Sequence, residues 1–247
     1  MVIPFRKWRR EPSPRKGQRV YAVGDIHGRH DLFRALMDAI IGHWETRPQT
    51  FKSIELVLLG DLIDRGPDSA RCLELAYELV THSRVRLVRG NHEDLLLNSI
   101  GGNPVAQSIW LANGGEAFLK SFGIEPMRSD EDSFDFGERI AAAVPDHLIA
   151  MLRDAPLTFR SGDYFFVHAG VRPGVALAKQ AEQDLLFIRD EFTQSTCDHG
   201  AIIVHGHSIV ENIEFHPNRI AVDTGAYATG RLSCICLEGK HREVIHC

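Results

Sequence analysis

The residues best equipped for chemistry are Asp25, His27, Asp61, Asn91, His168 and His207. Each follows an apolar run that stops at or near a glycine. Val20 to Val23 leads into Gly24-Asp25-Ile26-His27-Gly28, Ile54 to Leu59 into Gly60-Asp61, and Val85 to Val88 into Arg89-Gly90-Asn91-His92-Glu93. Tyr164 to Val167 leads into His168-Ala169-Gly170, and Ala201 to Val204 into His205-Gly206-His207-Ser208. One histidine at a strand end is more often a hydrogen-bonded structural group than a ligand. Five recurrences of Asp, Asn or His with nearby glycine are hard to explain that way, because glycine lets the backbone turn sharply and approach a ligand closely. The i, i+2 spacing of Asp25 and His27 in extended backbone points both side chains to one side. Nitrogen and oxygen donors without thiolate suit manganese, iron or zinc rather than calcium or an iron–sulfur cluster. Two divalent ions facing the carboxylates of Asp25 and Asp61 would leave the site cationic, as phosphate binding requires. Ions about 3.5–4 Å apart can share a hydroxide, lower its pKa and clamp an in-line displacement.

These residues need strands to carry them and sharp loops to present them. The stretch Val57-Leu58-Leu59-Gly60-Asp61-Leu62-Ile63-Asp64-Arg65-Gly66-Pro67-Asp68 sets the pattern. Its apolar half reads as a strand buried on both faces. Pro67 and Asp68 suit a helix start, so Asp61, Asp64 and Arg65 fall on a strand-to-helix loop, where open α/β sheets place ligands. Leu32, Phe33, Leu36, Met37, Ile40 and Ile41 recur at helical spacing after the first strand, and Cys72, Leu73, Ala76, Tyr77 and Val80 after the second. Leu95 to Ile100 continue the third unit as a helix. Between about 100 and 160 glycine pairs, an acidic loop (Asp130, Glu131, Asp132, Asp135) and a helical pattern around Pro145 indicate a helical insertion rather than an independent domain. The last third turns to consecutive strands. The expected fold is α/β, with mixed sheets or two sheets face to face and helices outside.

Composition narrows the class without naming a function. The 247 residues, 44% hydrophobic and 25% charged, suit one large domain. Residues 1–18 read as a basic, flexible tail, and 19–247 as a single domain. A net charge of -5 gives no support for a stable nucleic-acid complex or a polybasic membrane contact. No apolar run is long enough for a bilayer span, and no h-region follows the basic N-terminus. Five cysteines at irregular spacing argue against a disulfide framework and for a reducing, cytoplasmic setting. Cys234 and Cys236 fit an alternating strand better than a metal-binding pair.

Gly24-Asp25-Ile26-His27-Gly28, Gly60-Asp61-Leu62-Ile63-Asp64-Arg65-Gly66 and Gly90-Asn91-His92-Glu93 resemble the three signature blocks of the phosphoprotein-phosphatase type of metallophosphoesterase. The likeness continues through His168-Ala169-Gly170 and Gly206-His207. It is greatest to small bacterial and phage serine/threonine phosphatases and symmetrical diadenosine tetraphosphatases. The resemblance implies a β-sandwich flanked by helices, with a dinuclear centre at the strand ends. It implies Asp25, His27 and bridging Asp61 at one metal, and Asp61, Asn91, His168 and His207 at the other, with manganese the expected ion and iron or zinc the alternatives. His92 would protonate the leaving oxygen while Asp64 orients it. Arg65, Arg89 and Arg189 match phosphate-binding arginines, whose forks suit phosphoryl oxygens. His205 stands where many relatives carry an apolar or aromatic residue, and Asp223 reads as structural.

The expected activity is hydrolysis of phosphoserine, phosphothreonine or small phosphomonoesters by direct attack of a metal-bridging hydroxide. The alternative is hydrolysis of diadenosine tetraphosphate, related nucleotide polyphosphates or capped RNA ends. A cyclic-nucleotide or DNA phosphodiesterase is disfavoured, because Ile209 replaces the second His of the Gly-His-x-His ending and Asp64-Arg65-Gly66 is present. A catalytically dead phosphopeptide-binding module ranks last, since no ligand and no acid histidine is lost.

Overall fold

The computed structural model describes residues 11–47, 51–82 and 84–247. Three strand–helix units come first: β1 (Gln18–Val23) with α1 (His30–Thr46), β2 (Ser53–Leu58) with α2 (Ser69–His82), and β3 (Val85–Leu87) with α3 (Asn91–Ile100). A helical stretch follows, made of α4 (Pro104–Trp110), a wide turn (Leu111–Gly115), α5 (Glu116–Ser121), α6 (Ser133–Ala143) and α7 (Asp146–Asp154). The remainder is β4 (Thr158–Ser161), β5 (Tyr164–Val167), α8 (Glu182–Phe187), α9 (Asp190–Thr193), β6 (Ile202–His205), β7 (Glu214–Phe215), β8 (Arg219–Ala221), α10 (Ala226–Thr229), β9 (Ser233–Glu238) and β10 (His241–His246).

Among the described residues the strands form two five-stranded mixed sheets, ordered β10-β9-β1-β2-β3 and β4-β5-β6-β8-β7. β1, β2 and β3 run parallel, as do β5, β6 and β8. Strand alternation explains why these runs look continuously apolar. In β1, Val20 and Ala22 meet Tyr164, Phe166, Val204 and Ile220 between the sheets, while Tyr21 and Val23 face the helices with Phe33 and Leu36. Cys234 and Cys236 share the helix-facing side of β9, and all five cysteines are free thiols. A further layer, Leu185, Ile188 and Phe192, covers the outer face of the second sheet.

The insertion does not stand apart. Trp110, Phe118, Phe136, Ile140, Leu148 and Leu152 join the same core cluster as α1, α2 and the first sheet. The acidic loop is also absorbed locally. Asp132 caps α6 by accepting from Phe134 N (2.8 Å) and Asp135 N (2.9 Å), and Glu131 pairs with Arg139 at 2.8 Å. The basic N-terminal stretch is docked where it is described, in contrast to the flexible tail its composition suggests. Pro12 and Pro14 are buried, Ser13 N donates to Asp163 Oδ2 (3.0 Å), Arg15 N donates to Ser161 Oγ (3.1 Å), and Gln18 already belongs to β1. Residues 1–10, with Arg6, Lys7, Arg9 and Arg10, lie outside the described residues. No described helix is long and apolar enough to cross a membrane.

Candidate active site

The loops leaving β1, β2, β3, β5 and β6 meet at one edge of the sandwich, and their geometry is unusual. Among the described residues, the non-glycine positions with positive φ are His27 (45°), Asp61 (50°), Asp64 (72°), Arg65 (64°) and His207 (60°). Each is a residue that the sequence picked out for chemistry. Left-handed backbone is costly for such side chains and gathers at functional sites. Two glycines make the convergence sterically feasible. A methyl group on Gly90 would overlap Asp61 Oδ1, and one on Gly206 would overlap Asp25 Oδ1.

Asp61 is the hub. Its Oδ2 lies 3.5 Å from His27 Nε2, 3.5 Å from His168 Nε2 and 3.9 Å from His92 Nε2. Its Oδ1 accepts from His92 N at 3.0 Å. Glu93, fully buried, holds this loop by accepting from Asp61 N (2.9 Å), Leu62 N (2.7 Å) and Gly90 N (2.9 Å). Sequence reasoning passed over Glu93. Its position at the third residue of α3, where a capping carboxylate reaches back, was the available signal.

The histidines are aimed from behind. His27 Nδ1 faces Ile63 O and His168 Nδ1 faces Leu59 O, both at 2.8 Å. A carbonyl can only accept, so Nδ1 carries the proton and the Nε2 lone pair points inward. His168 Nε2 then sits 2.8 Å from Asn91 Oδ1 and 3.2 Å from His207 Nδ1. His207 Nε2 is buried without a hydrogen-bond partner. Asp25 lies alongside, its carboxylate accepting from His207 N at 3.1 and 3.2 Å. Acceptors thus face acceptors, an arrangement that a cation satisfies. Among the described residues, the groups of His, Cys, Asp and Glu close enough to share an ion are His27–Asp61–His92 and Asp61–His168–His207. Both hinge on Asp61, and the nitrogen and oxygen donors fit a pair of divalent metals.

Electrostatics agree. Burial, then the charges of Asp223 and Asp61, push the Asp25 carboxyl well above the usual carboxylate range. Burial also raises Asp61, against the pull of His92, and takes Asp223 to about 6. It lowers His27 and His207 and brings His168 down to about 4. Protein alone therefore favours neutral imidazoles and disfavours clustered carboxylate charges, and a bound cation reverses that preference at the carboxylates.

Next to this cluster, His92 Nδ1 and Asp64 Oδ2 are 2.5 Å apart, and both residues are buried. The contact separates His92 from the ligands: one ring nitrogen is committed to a carboxylate and the other faces the site mouth. There the Arg65 guanidinium lies 3.0 Å from His27 Nε2 and 3.1 Å from His92 Nε2. Arg89 flanks α3, with Asp94 at 3.5 Å. Arg189 is exposed at the turn into α9, and its charge bears on His92, His168 and His207. Two aromatic neighbours were missed. Trp110 Nε1 donates to Asp64 Oδ2 at 2.9 Å, and the half-exposed Tyr227 ring lies edge-on to His27 and 4.7 Å from the Arg65 guanidinium carbon. Neither position carried a local signal, since both partners are distant in sequence.

His205 is not part of this cluster. It is buried against Phe192 at 5.0 Å, with Nδ1 3.0 Å from Gly206 O.

A dinuclear donor set with a His–Asp pair and arginines, carried on the loops of a helix-flanked sandwich, defines the class as a metallophosphoesterase. The profile of the calcineurin-like phosphoesterase family matches residues 18–230, and the chain belongs to that family of phosphoric ester hydrolases. It is 30% identical over 227 residues to serine/threonine-protein phosphatase 2 of Escherichia coli (strain K12), covering 87% of this chain and 90% of that protein. It is 24% identical over 231 residues to an asymmetrical bis(5'-nucleosyl)-tetraphosphatase of Bacillus cereus, covering 86% and 88%. The crystal structure of a putative diadenosine tetraphosphatase superposes with a TM-score of 0.65 at 21% identity, over 96% of this chain and 98% of the other.

Proposed function

We propose that the protein is a dinuclear-metal phosphatase acting on phosphomonoesters, of the serine/threonine phosphatase type. The observation that carries this reading is the convergence of three candidate ligand side chains, His27, His168 and His207, on Asp61, with the His92–Asp64 pair beside them. Asp25, His27 and Asp61 would hold one ion, and Asp61, Asn91, His168 and His207 the other. Manganese is the ion we propose, and iron or zinc suit the same donors. When bound, such ions lower the pKa of water and neutralise phosphoryl oxygens. Arg65, Arg89 and Arg189 bind the phosphoryl group from the open side. Arg65 supports this role by lying against His27 and His92 at the mouth. His92 gives its Nε2 proton to the leaving oxygen while Asp64 accepts from Nδ1 and holds the ring.

A second reading, hydrolysis of a dinucleoside polyphosphate, is favoured by the exposed Tyr227 ring beside Arg65, a surface on which a nucleobase could stack. The acidic loop does not decide between them, because Glu131 and Asp132 are engaged within the insertion.

The test offers manganese-loaded protein a phosphothreonine peptide and diadenosine tetraphosphate in parallel, with products separated by chromatography. Free phosphate from the peptide with the dinucleotide intact is the expected result. Clean conversion of the dinucleotide to two ADP, or to ATP and AMP, with a much larger kcat/KM would replace it with the second reading.

A further inference from the structure

We infer that Trp110, from the helical insertion, is a positioning residue for the acid pair: its indole N–H holds the Asp64 carboxylate oxygen that His92 leans on. The inference rests on the acid role of His92 proposed above and adds a part of the chain to it. Trp110 Nε1 is 2.9 Å from Asp64 Oδ2, the same oxygen that meets His92 Nδ1, while Asp64 Oδ1 is buried with no hydrogen-bond partner. All three side chains are buried. With the other oxygen unpartnered, the His92 contact alone would leave the carboxylate plane free to rock about Cβ–Cγ. A second N–H on Oδ2 removes that freedom, so His92 keeps one ring orientation with Nε2 toward the mouth.

The placement of the indole is itself built. A Cβ on Gly115 would come within 2.6 Å of Trp110 Cε2, so the turn passes directly against the ring. Phe118 meets the ring edge-on at 5.6 Å. The same turn reaches the phosphate arginine: Gly114 O accepts from Arg65 N at 3.2 Å, and Asn113 O accepts from Arg65 Nε at 3.4 Å. Residues 110–115 therefore brace both halves of the loop Asp64-Arg65, whose two residues carry the left-handed backbone noted above. An indole that served only to fill the core would need its N–H satisfied by any acceptor. Here the acceptor is the oxygen that orients the acid.

In the step concerned, a water-derived oxygen bonds to phosphorus as the bond to the leaving oxygen breaks with its electron pair on that oxygen. The oxygen takes the Nε2 proton of the protonated His92 ring, and the N–H pair returns to the ring. Loss of orientation at His92 weakens only this transfer, so its effect depends on how much the leaving oxygen needs the proton. Trp110→Phe keeps an aromatic ring and removes the donor. We expect its kcat to fall roughly 10-fold on phenyl phosphate, the scale of one hydrogen bond to a charged group. On 4-nitrophenyl phosphate it should change by less than about 3-fold, with KM and metal content unchanged. His92→Asn is run in parallel. If it shows no leaving-group dependence, the acid role of His92 fails. If it does and Trp110→Phe does not, the Trp110 inference alone fails. A second measurement needs no Trp110 variant. The chain has three tryptophans, so its metal-free protein should give three indole N–H resonances in a 15N correlation spectrum. One, protected from exchange, should move in Asp64→Asn; if none moves, the contact is absent in solution and the inference is overturned.

Discussion

Among the described residues Asp61 is the one side chain common to both candidate metal groups, and its neighbours are those that favour a carboxylate there. Two imidazole nitrogens approach Oδ2 at 3.5 Å from opposite loops, while Oδ1 is committed to the His92 backbone. Asp61→Asn keeps the shape and removes the charge. The expected outcome is loss of bound metal after dialysis, measured by atomic emission, and loss of turnover with it; normal metal content and activity would end the dinuclear reading. His92→Asn acts on a different step. It should lower kcat by about 10²–10⁴-fold, the range for general acid–base groups, with both metals retained. His205 tests the boundary of the site. Burial takes its imidazole down to about 3, so the folded state binds fewer protons than the unfolded chain, whose histidine titrates near 6.5. A lowered folded pKa on a base means that stability is full above about 6.5 and is lost as pH falls toward 3. His205→Phe would remove that dependence, pack against Phe192 and discard a buried nitrogen without a partner. Thermal unfolding should show a higher Tm than the parent at pH 7.5 and a larger gain at pH 5, with activity kept. An unchanged difference between the two pH values would mean that His205 is not buried neutral.

Elements explain why some of this was legible in sequence and some was not. The strand ends stood out because the signal is local: an apolar run, a glycine and a ligand type occupy consecutive positions, and the run must be apolar on both faces between a sheet and a helix layer. Ile54 to Leu59 and β2 agree to within a residue, and Pro145 marks the break between α6 and α7. Contacts between distant segments left no such trace. Trp110 and Asp64 are 46 positions apart, and the docking of residues 12–15 on β4 and β5 depends on backbone groups that composition cannot register. β7, two residues long and exposed, has no periodicity to read. Gly114 belongs to the second kind. Its φ is +110°, and a Cβ there would lie 2.8 Å from Arg65 Cγ and 3.1 Å from Arg65 N. Gly114→Ala must shift either the turn or the arginine. We expect roughly 10-fold lower kcat/KM, carried by KM, since backbone strain of this kind costs about 1–3 kcal/mol. Metal content should hold, because Arg65 is no ligand. A variant with unaltered KM would show that the turn does not position Arg65.

The whole molecule uses its two layers to assemble a site that neither sheet contains. The first sheet supplies Asp25, His27, Asp61 and Asn91, and the second supplies His168 and His207, so the apolar seam between them fixes the distance between the two sets of candidate ligands. The insertion works from the other side. Its helices are 7, 6, 11 and 9 residues long, and isolated helices below about 12–15 residues are marginal in water. What orders them is the shared core, where Trp110, Phe118, Phe136, Ile140 and Leu148 pack with Leu73, Leu95 and Leu96. The backbone bond from Arg89 N to Pro156 O, 3.0 Å, ties its far end to the loop that carries Asn91 and His92. A specificity module added to a finished domain would survive excision, and its removal would leave a folded remainder. This arrangement predicts the opposite. A peptide spanning residues 103–156 should show little helix by circular dichroism and no cooperative melt. The protein with that span replaced by a short linker should lose its sharp thermal transition, because one side of its helix-layer core would be open to water. If instead the remainder melts cooperatively and still hydrolyses 4-nitrophenyl phosphate, the insertion is dispensable. Trp110 and Gly114 would then be neighbours of the site rather than part of its support.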